Sequence, residues 1–213
     1  MAIHTVMVLP HVAAPGLDQA FLSHAQWQGI PSCSLVRAED GGAVTLATSL
    51  RVAWSARGVH VCFCCTDPSP LSRDFAVEAS SDMEEAVGVF LDPIGDRSQY
   101  MAIMATPYGG VADARIENPW HHSLRHETDE TWDCPGVRLR SWSQHAEWSL
   151  ELLIPFNGIT PAIDAVRPGD RWTGNFFRIA PQPPSEISAW QPCYTSPPDL
   201  HASDHFGILE FGH

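Results

Sequence analysis

The chain has 213 residues, enough for one domain with a substantial core; a chain of this length buries about 70% of its extended surface without disulfide help. Its 44% hydrophobic and 17% charged residues are those of a globular protein, and 25 acidic against 12 basic residues leave a net charge of −13. That charge, with no block of Lys and Arg, argues against nucleic acid and against an anionic membrane surface, and no apolar run approaches the ~18 residues of a membrane span.

The opening MAIHTVMVLPHVAAPG has no Lys or Arg ahead of its short apolar stretch, and Pro10 interrupts it. It reads as a strand near 3–9 rather than an export signal, so a cytoplasmic location is expected unless a signal has been removed. A helical turn is expected at Leu17–Ser23 and a strand near 32–37. TLATSLRVAWS (45–55) and GVHVCFCCTD (58–67) then alternate apolar and polar residues around Ala56, Arg57 and Gly58, the pattern of a hairpin. In its second strand Val61 and Phe63 face one way, Cys62 and Cys64 the other.

Further strands are expected near 85–92, 98–106, 110–116, 136–143, 146–154, 171–179 and 205–211, with a helical turn after Pro155. No stretch sustains a 3.6-residue period. About ten strands with Pro- and Gly-rich joints predict an all-β fold, an antiparallel β-sandwich or jelly roll, as one domain over 1–213. Residues 67–84, 117–133 and 181–204 form long polar loops, and loops of that length are commonly functional.

Strand 171–179 separates into Trp172, Gly174, Phe176 and Arg178 on one face and Thr173, Asn175, Phe177 and Ile179 on the other. An Arg among aromatics predicts a buried ion pair, with Glu147 or Glu151 as its partner. Six Cys, at 33, 62, 64, 65, 134 and 193, form no CxxC pair, and neighbours on an extended strand cannot readily bond; buried reduced thiols are expected.

Five phrases, EEAVGVFLDP (84–93), EWSLELLIPF (147–156), GDRWTGNFFRIA (169–180), AWQP (189–192) and HFGILEF (205–211), resemble in order and spacing the family 9 carbohydrate-binding modules and their relatives. The resemblance spans roughly residues 15–211. It implies a β-sandwich that binds a saccharide between a pair of Trp side chains, with acidic, Arg and Asn side chains reading the hydroxyls. Gly88 stands where the family has Glu, Asp82 and Leu200 fall at the clamp positions, and Met104 falls at the Arg position. The family's clamp is therefore missing from this chain.

A site of another shape remains. Gly88 and Phe90 share a face of one strand, Ala102 and Met104 a face of the next, and such small and flexible groups predict a groove. The candidate ligand-binding residues are Trp120, Asn118, His121, Trp190, Asn175, Arg178 and Met104, because aromatic rings stack on sugar C–H faces while planar polar groups bond hydroxyls. Trp190 also reads as a core plug, and Arg178 as the ion-pair partner above. The resemblance further implies structural calcium, for which Asp92, Asp96 and Asp67 are the candidate donors. His121, His122, His126 and Glu127 complete no zinc pattern.

A non-catalytic domain that recognises a small saccharide or glycan end is the expected function. There is no GxSxG elbow and no phosphate loop, and Cys62 or Cys64 on a central strand lacks an evident base. Two alternatives stand beside it. One is a haem or small-ligand domain similar to DOMON-type sandwiches, with Met104 or Met101 and a His as axial ligands. The other is a protein-interaction module that has lost its sugar site.

Overall fold

Strand alternation decides the layering. In a computed structural model describing residues 4–16, 19–67, 85–121, 125–159, 166–182 and 184–213, the alternating runs form two sheets packed face to face. The smaller sheet has the order β10 (Arg138–Gln144), β11 (Glu147–Pro155), β5 (Gly58–Thr66), β4 (Thr48–Ser55) and β2 (Cys33–Ser34). The larger runs β1 (Val6–Leu9), β14 (Gly207–Phe211), β12 (Arg171–Ala180), β6 (Ala86–Asp92), β7 (Gln99–Ala105), β8 (Val111–Glu117) and β9 (Glu127–Asp129). β13 (Glu186–Ala189) bridges β12 and β3 (Val36–Arg37) at its side. The named strands pair antiparallel except β1 with β14.

The expected all-β sandwich is the observed fold. The β4–β5 hairpin closes through Gly58, where a Cβ would lie 2.1 Å from the Ile154 carbonyl oxygen, so the close approach of β11 requires glycine. The expected helical turn at Leu17–Ser23 is displaced. Ser23 is instead the N-cap of α1 (His24–Gln28), in a capping box with Gln26, and residues 17–18 lie outside the described set. α2 (Phe156–Ile159) follows Pro155 as expected. The short strands β9 and β13 were not anticipated, because three or four residues are too few to display a period.

Between the sheets, Leu50, Val52, Trp54, Val61, Phe63, Leu150 and Leu152 meet Val87, Val89, Leu91, Ile103, Trp172 and Phe176. Each large apolar side chain buried there contributes about 1.5–3 kcal/mol. Arg178 points into the same layer. Its guanidinium meets Glu85 at 2.5 Å, the Thr66 carbonyl at 2.9 Å and the Thr48 hydroxyl at 3.2 Å, with Trp148 beneath it. The ion pair is as expected, but its partner is Glu85. Leu150 and Leu152 face inward, so the odd-numbered Glu147 and Glu151 must face outward, where Glu151 pairs with Arg140 at 2.8 Å.

All six cysteines are free. Cys62, Cys65, Cys134 and Cys193 are buried; Cys33 and Cys64 are partly exposed, which corrects the expectation that every thiol is buried.

Candidate functional site

The outward face of the larger sheet carries a second apolar layer: Phe90 of β6, Tyr100 and Ala102 of β7, Ala114 and Ile116 of β8, and Phe177 of β12. Residues 193–206 pack over part of it through Cys193, Ala202 and Phe206. Where they stop, a groove of about 750 Å³ opens. Met104, Phe177 and Ile179 line its apolar base, and the small Ala102, Ala112 and Ala114 leave the space above it. Thr128 and Glu130 border it on one side, Asp199 and His201 on the other.

The missing family Glu has a physical explanation here. A Cβ on Gly88 would lie 2.0 Å from Cζ of Phe177, which is itself buried. The Phe177 ring lies over the backbone where an acidic side chain would otherwise stand, so this face is apolar by construction.

One wall of the groove is held by a polar network. The Tyr100 hydroxyl lies 2.7 Å from Nδ1 of His201, and the Asn118 amide donates to the His201 carbonyl at 2.7 Å and to the Tyr100 hydroxyl at 3.3 Å. The His201 backbone N–H donates to Asp199 Oδ1 at 2.9 Å. Its ring stacks on that of His126, with centroids 4.1 Å apart and planes 16° from parallel. Burial, and secondarily the neighbouring His126, lowers His201 from 6.5 to about 4, so its ring is neutral at pH 7. Burial likewise raises the Tyr100 phenol.

Met104 lies in the groove as anticipated. Asn118 and His121 act one step behind it: Asn118 is buried in the network above, and His121 Nδ1 lies 3.0 Å from the Ser203 hydroxyl, tying residues 118–121 to the 3₁₀ turn Ser203–His205. On the loop so braced, Trp120 is 64% exposed, with the Arg125 guanidinium 5.8 Å above its ring. His122 lies outside the described residues.

Three candidates are corrected. Arg178 lies in the inter-sheet ion pair; Asn175 is buried and holds Gln191 through its amide at 2.9 Å and 3.0 Å; and Trp190 is a core plug against Phe176 and Gly207. None lines the groove. Tyr100, Phe177, Thr128 and Glu130 escaped sequence reasoning. Strand parity could have found Tyr100, since it shares a face with Ala102 and Met104.

Two of the calcium candidates, Asp92 and Asp96, lie in a turn whose own hydrogen bonds engage their oxygens, whereas Asp67 lies apart, just past β5. Asp92 Oδ1 accepts from the backbone of Ile94 and Gly95, and Oδ2 from Arg97 N–H and the Thr173 hydroxyl, all at 2.7–2.9 Å. Asp96 accepts from the backbone and hydroxyl of Ser98. Calcium takes six to eight oxygens, and among the described residues no three His, Cys, Asp or Glu side chains converge on a metal position. Asp92 and Asp96, engaged in the bonds of their own turn, do not present an open donor set for the ion. For the haem alternative, Met101 is packed between the sheets and only Met104 of the two methionines reaches the groove. A larger hollow of about 890 Å³ lies beside Trp54, Arg57 and Phe156 and borders Val166.

No protein-family model matches the sequence, and no curated protein sequence does. Solved structures match its fold over nearly the whole chain. A candidate carbohydrate-binding protein from Bacteroides uniformis ATCC 8492 superposes with a TM-score of 0.72 at 16% identity, covering 98% of this chain and 100% of that one. A carbohydrate-binding module of family 9 from Caldicellulosiruptor kristjanssonii, in complex with cellotriose, gives 0.63 at 11% identity over 95% and 93%. A family 9 module from the same organism in complex with glucose gives 0.60 at 12%, over 98% and 97%. The chain therefore has a fold like that of the family 9 carbohydrate-binding modules.

Proposed function

We propose that this chain is a non-catalytic carbohydrate-binding domain that takes a small saccharide or glycan end into the groove on the larger sheet. The observation that carries the reading is the groove itself: an open apolar base of Met104, Phe177 and Ile179 between polar borders of Thr128, Glu130, Asp199 and His201. A pyranose has the same division, with C–H faces that pack on apolar side chains and a girdle of hydroxyls that bond polar ones. Saccharides bound to two proteins of similar fold lend it support. A groove this open encloses only part of its ligand, so affinity is expected to be weak to moderate.

Calorimetric titration with glucose, cellotriose and a panel of other sugars tests the reading. Saturable binding to wild type, lost in Ala112→Trp, is the expected result, because the exposed Ala112 side chain borders the groove and an indole there would fill it. A flat panel at millimolar sugar overturns the assignment and favours a protein-interaction module. Binding that survives Ala112→Trp moves the site elsewhere, with Trp120 next to be replaced.

A further inference from the structure

The groove on the larger sheet is lined by charge of one sign. Three carboxylates reach it from three separate elements: Asp113 of β8, Glu130 just past β9, and Asp199 of the segment that covers the sheet. Register accounts for Glu130. Ile116 pairs with Thr128 and Arg115 with Asp129, so Thr128 and Glu130 alternate onto the face that carries Ala114 and Ile116. Asp113 is held by the Cys134 N–H, which donates to Oδ2 at 2.9 Å, and Asp199 by the His201 N–H, which donates to Oδ1 at 2.9 Å. Glu130 is exposed at the border and makes no hydrogen bond or ion pair among the described residues.

Positive charge does not offset them. The chain has no Lys, and among the described residues no Arg lines the groove. Two Arg close to these residues in sequence are turned to aromatic faces: Arg115 lies over Trp132 and Arg125 over Trp120, each guanidinium 5.8 Å from the ring centroid. His201, the one basic residue of the lining, is neutral at pH 7 because it is buried. The groove on the outward face of the smaller sheet makes the contrast, since there Arg51 and Arg140 stand beside Glu151.

We propose that the groove selects saccharides by charge, taking an amino sugar, whose ammonium pairs with Glu130, in preference to a neutral sugar, and disfavouring uronates and sulfated or phosphorylated sugars. The proposal rests on the reading of this groove as a saccharide site. Its carboxylates flank an apolar base of Met104, Phe177 and Ile179, over which their attraction for a cation is screened less than over open surface. An anionic sugar on the same base meets repulsion from both borders. Because Glu130 stays in contact with solvent, the selection is modest.

Calorimetric titration of the whole chain at about pH 6.5 tests the proposal, with glucose and galactose, their 2-amino and 2-acetamido derivatives and their uronates. The amino sugar should bind about three- to tenfold more tightly than its neutral parent, and the uronate more weakly by a similar factor. The 2-acetamido sugar keeps the nitrogen without the charge and should lose the advantage. Raising salt from about 20 to about 500 mM should bring the ratio of amino to neutral affinity towards one. Glu130→Gln, which keeps the side chain's shape, should lower that ratio about twofold or more.

Amino and neutral sugars of equal affinity, or a uronate bound as well as its parent, overturn the charge selection and leave the saccharide reading standing. A preference shared by the 2-acetamido sugar, or untouched by both salt and Glu130→Gln, also overturns it, because shape would then be what is read. Binding of no sugar in the set or in the wider panel overturns the saccharide reading, and the charge selection with it.

Discussion

The two outward faces of the sandwich use the same strand geometry for opposite ends. On the larger sheet, Phe90 and Tyr100 are clad in part by Phe206 of the covering residues 193–206, and the polar groups of that face, Tyr100 and Asn118, are enclosed and bonded to one another. On the smaller sheet, the corresponding positions carry Ser49, Arg51, Cys64, Ser149 and Glu151 beneath a helix of only five residues. Inward positions are dictated by packing on both sheets. Outward positions are free to hold chemistry, and how much stability they also supply depends on what covers them.

The comparison would break most visibly at Gly88. Gly88→Glu must displace the buried Phe177 ring, and overpacking of this kind costs about 3 kcal/mol. Denaturant unfolding should register that loss; an unchanged midpoint would mean the cladding is looser than described. A change of Ser149→Ala on the other sheet should leave the same midpoint nearly in place.

Acid comes next. His201 in the segment covering the larger sheet and His60, buried at 2.9 Å from the Ser55 hydroxyl, are both depressed from 6.5 to about 4, chiefly by burial. In the unfolded chain they take up protons near pH 6.5, so stability is full above that value and falls as pH drops from 6.5 towards 4. Melting temperature against pH should show this slope, and His201→Gln should remove part of it. An identical slope in that variant would assign the whole effect to other groups.

Tyr100→Phe sharpens the comparison at the level of one oxygen. Losing the hydroxyl that joins Asn118 to His201 should cost about 1 kcal/mol and weaken saccharide binding by loosening the wall. The smallest effect is expected at Trp120→Ala, within about 0.5 kcal/mol by thermal melting because the ring is mostly in solvent. Any loss of sugar affinity in that variant would then report contact rather than unfolding.

Most of the fold was legible because alternation survives in the long strands: β4, β5, β6 and β7 lie within the expected stretches, and β11 and β12 run one residue past theirs. The phrase VGVFLD placed β6 and the resemblance placed the sandwich. The site was less legible. Asn175, Arg178 and Trp190 look like recognition groups in sequence, yet each holds the scaffold, because a planar polar side chain fixes a backbone segment as readily as a sugar. Glu85 could not be matched to Arg178 by spacing, since it ends the crossing between sheets. The Gly88–Phe177 contact depends on register between β6 and β12, which a single sequence does not display.

Arg178 has a consequence for the chain's plasticity. One terminal nitrogen meets the carbonyl of Thr66, which ends β5, and the carboxylate of Glu85, which precedes β6. The two mouths of the intervening connection are thus riveted to a single atom, and sheet register is set before that connection is reached. Its length becomes a nearly free parameter: closing a loop of twice the length costs only about 0.6 kcal/mol more.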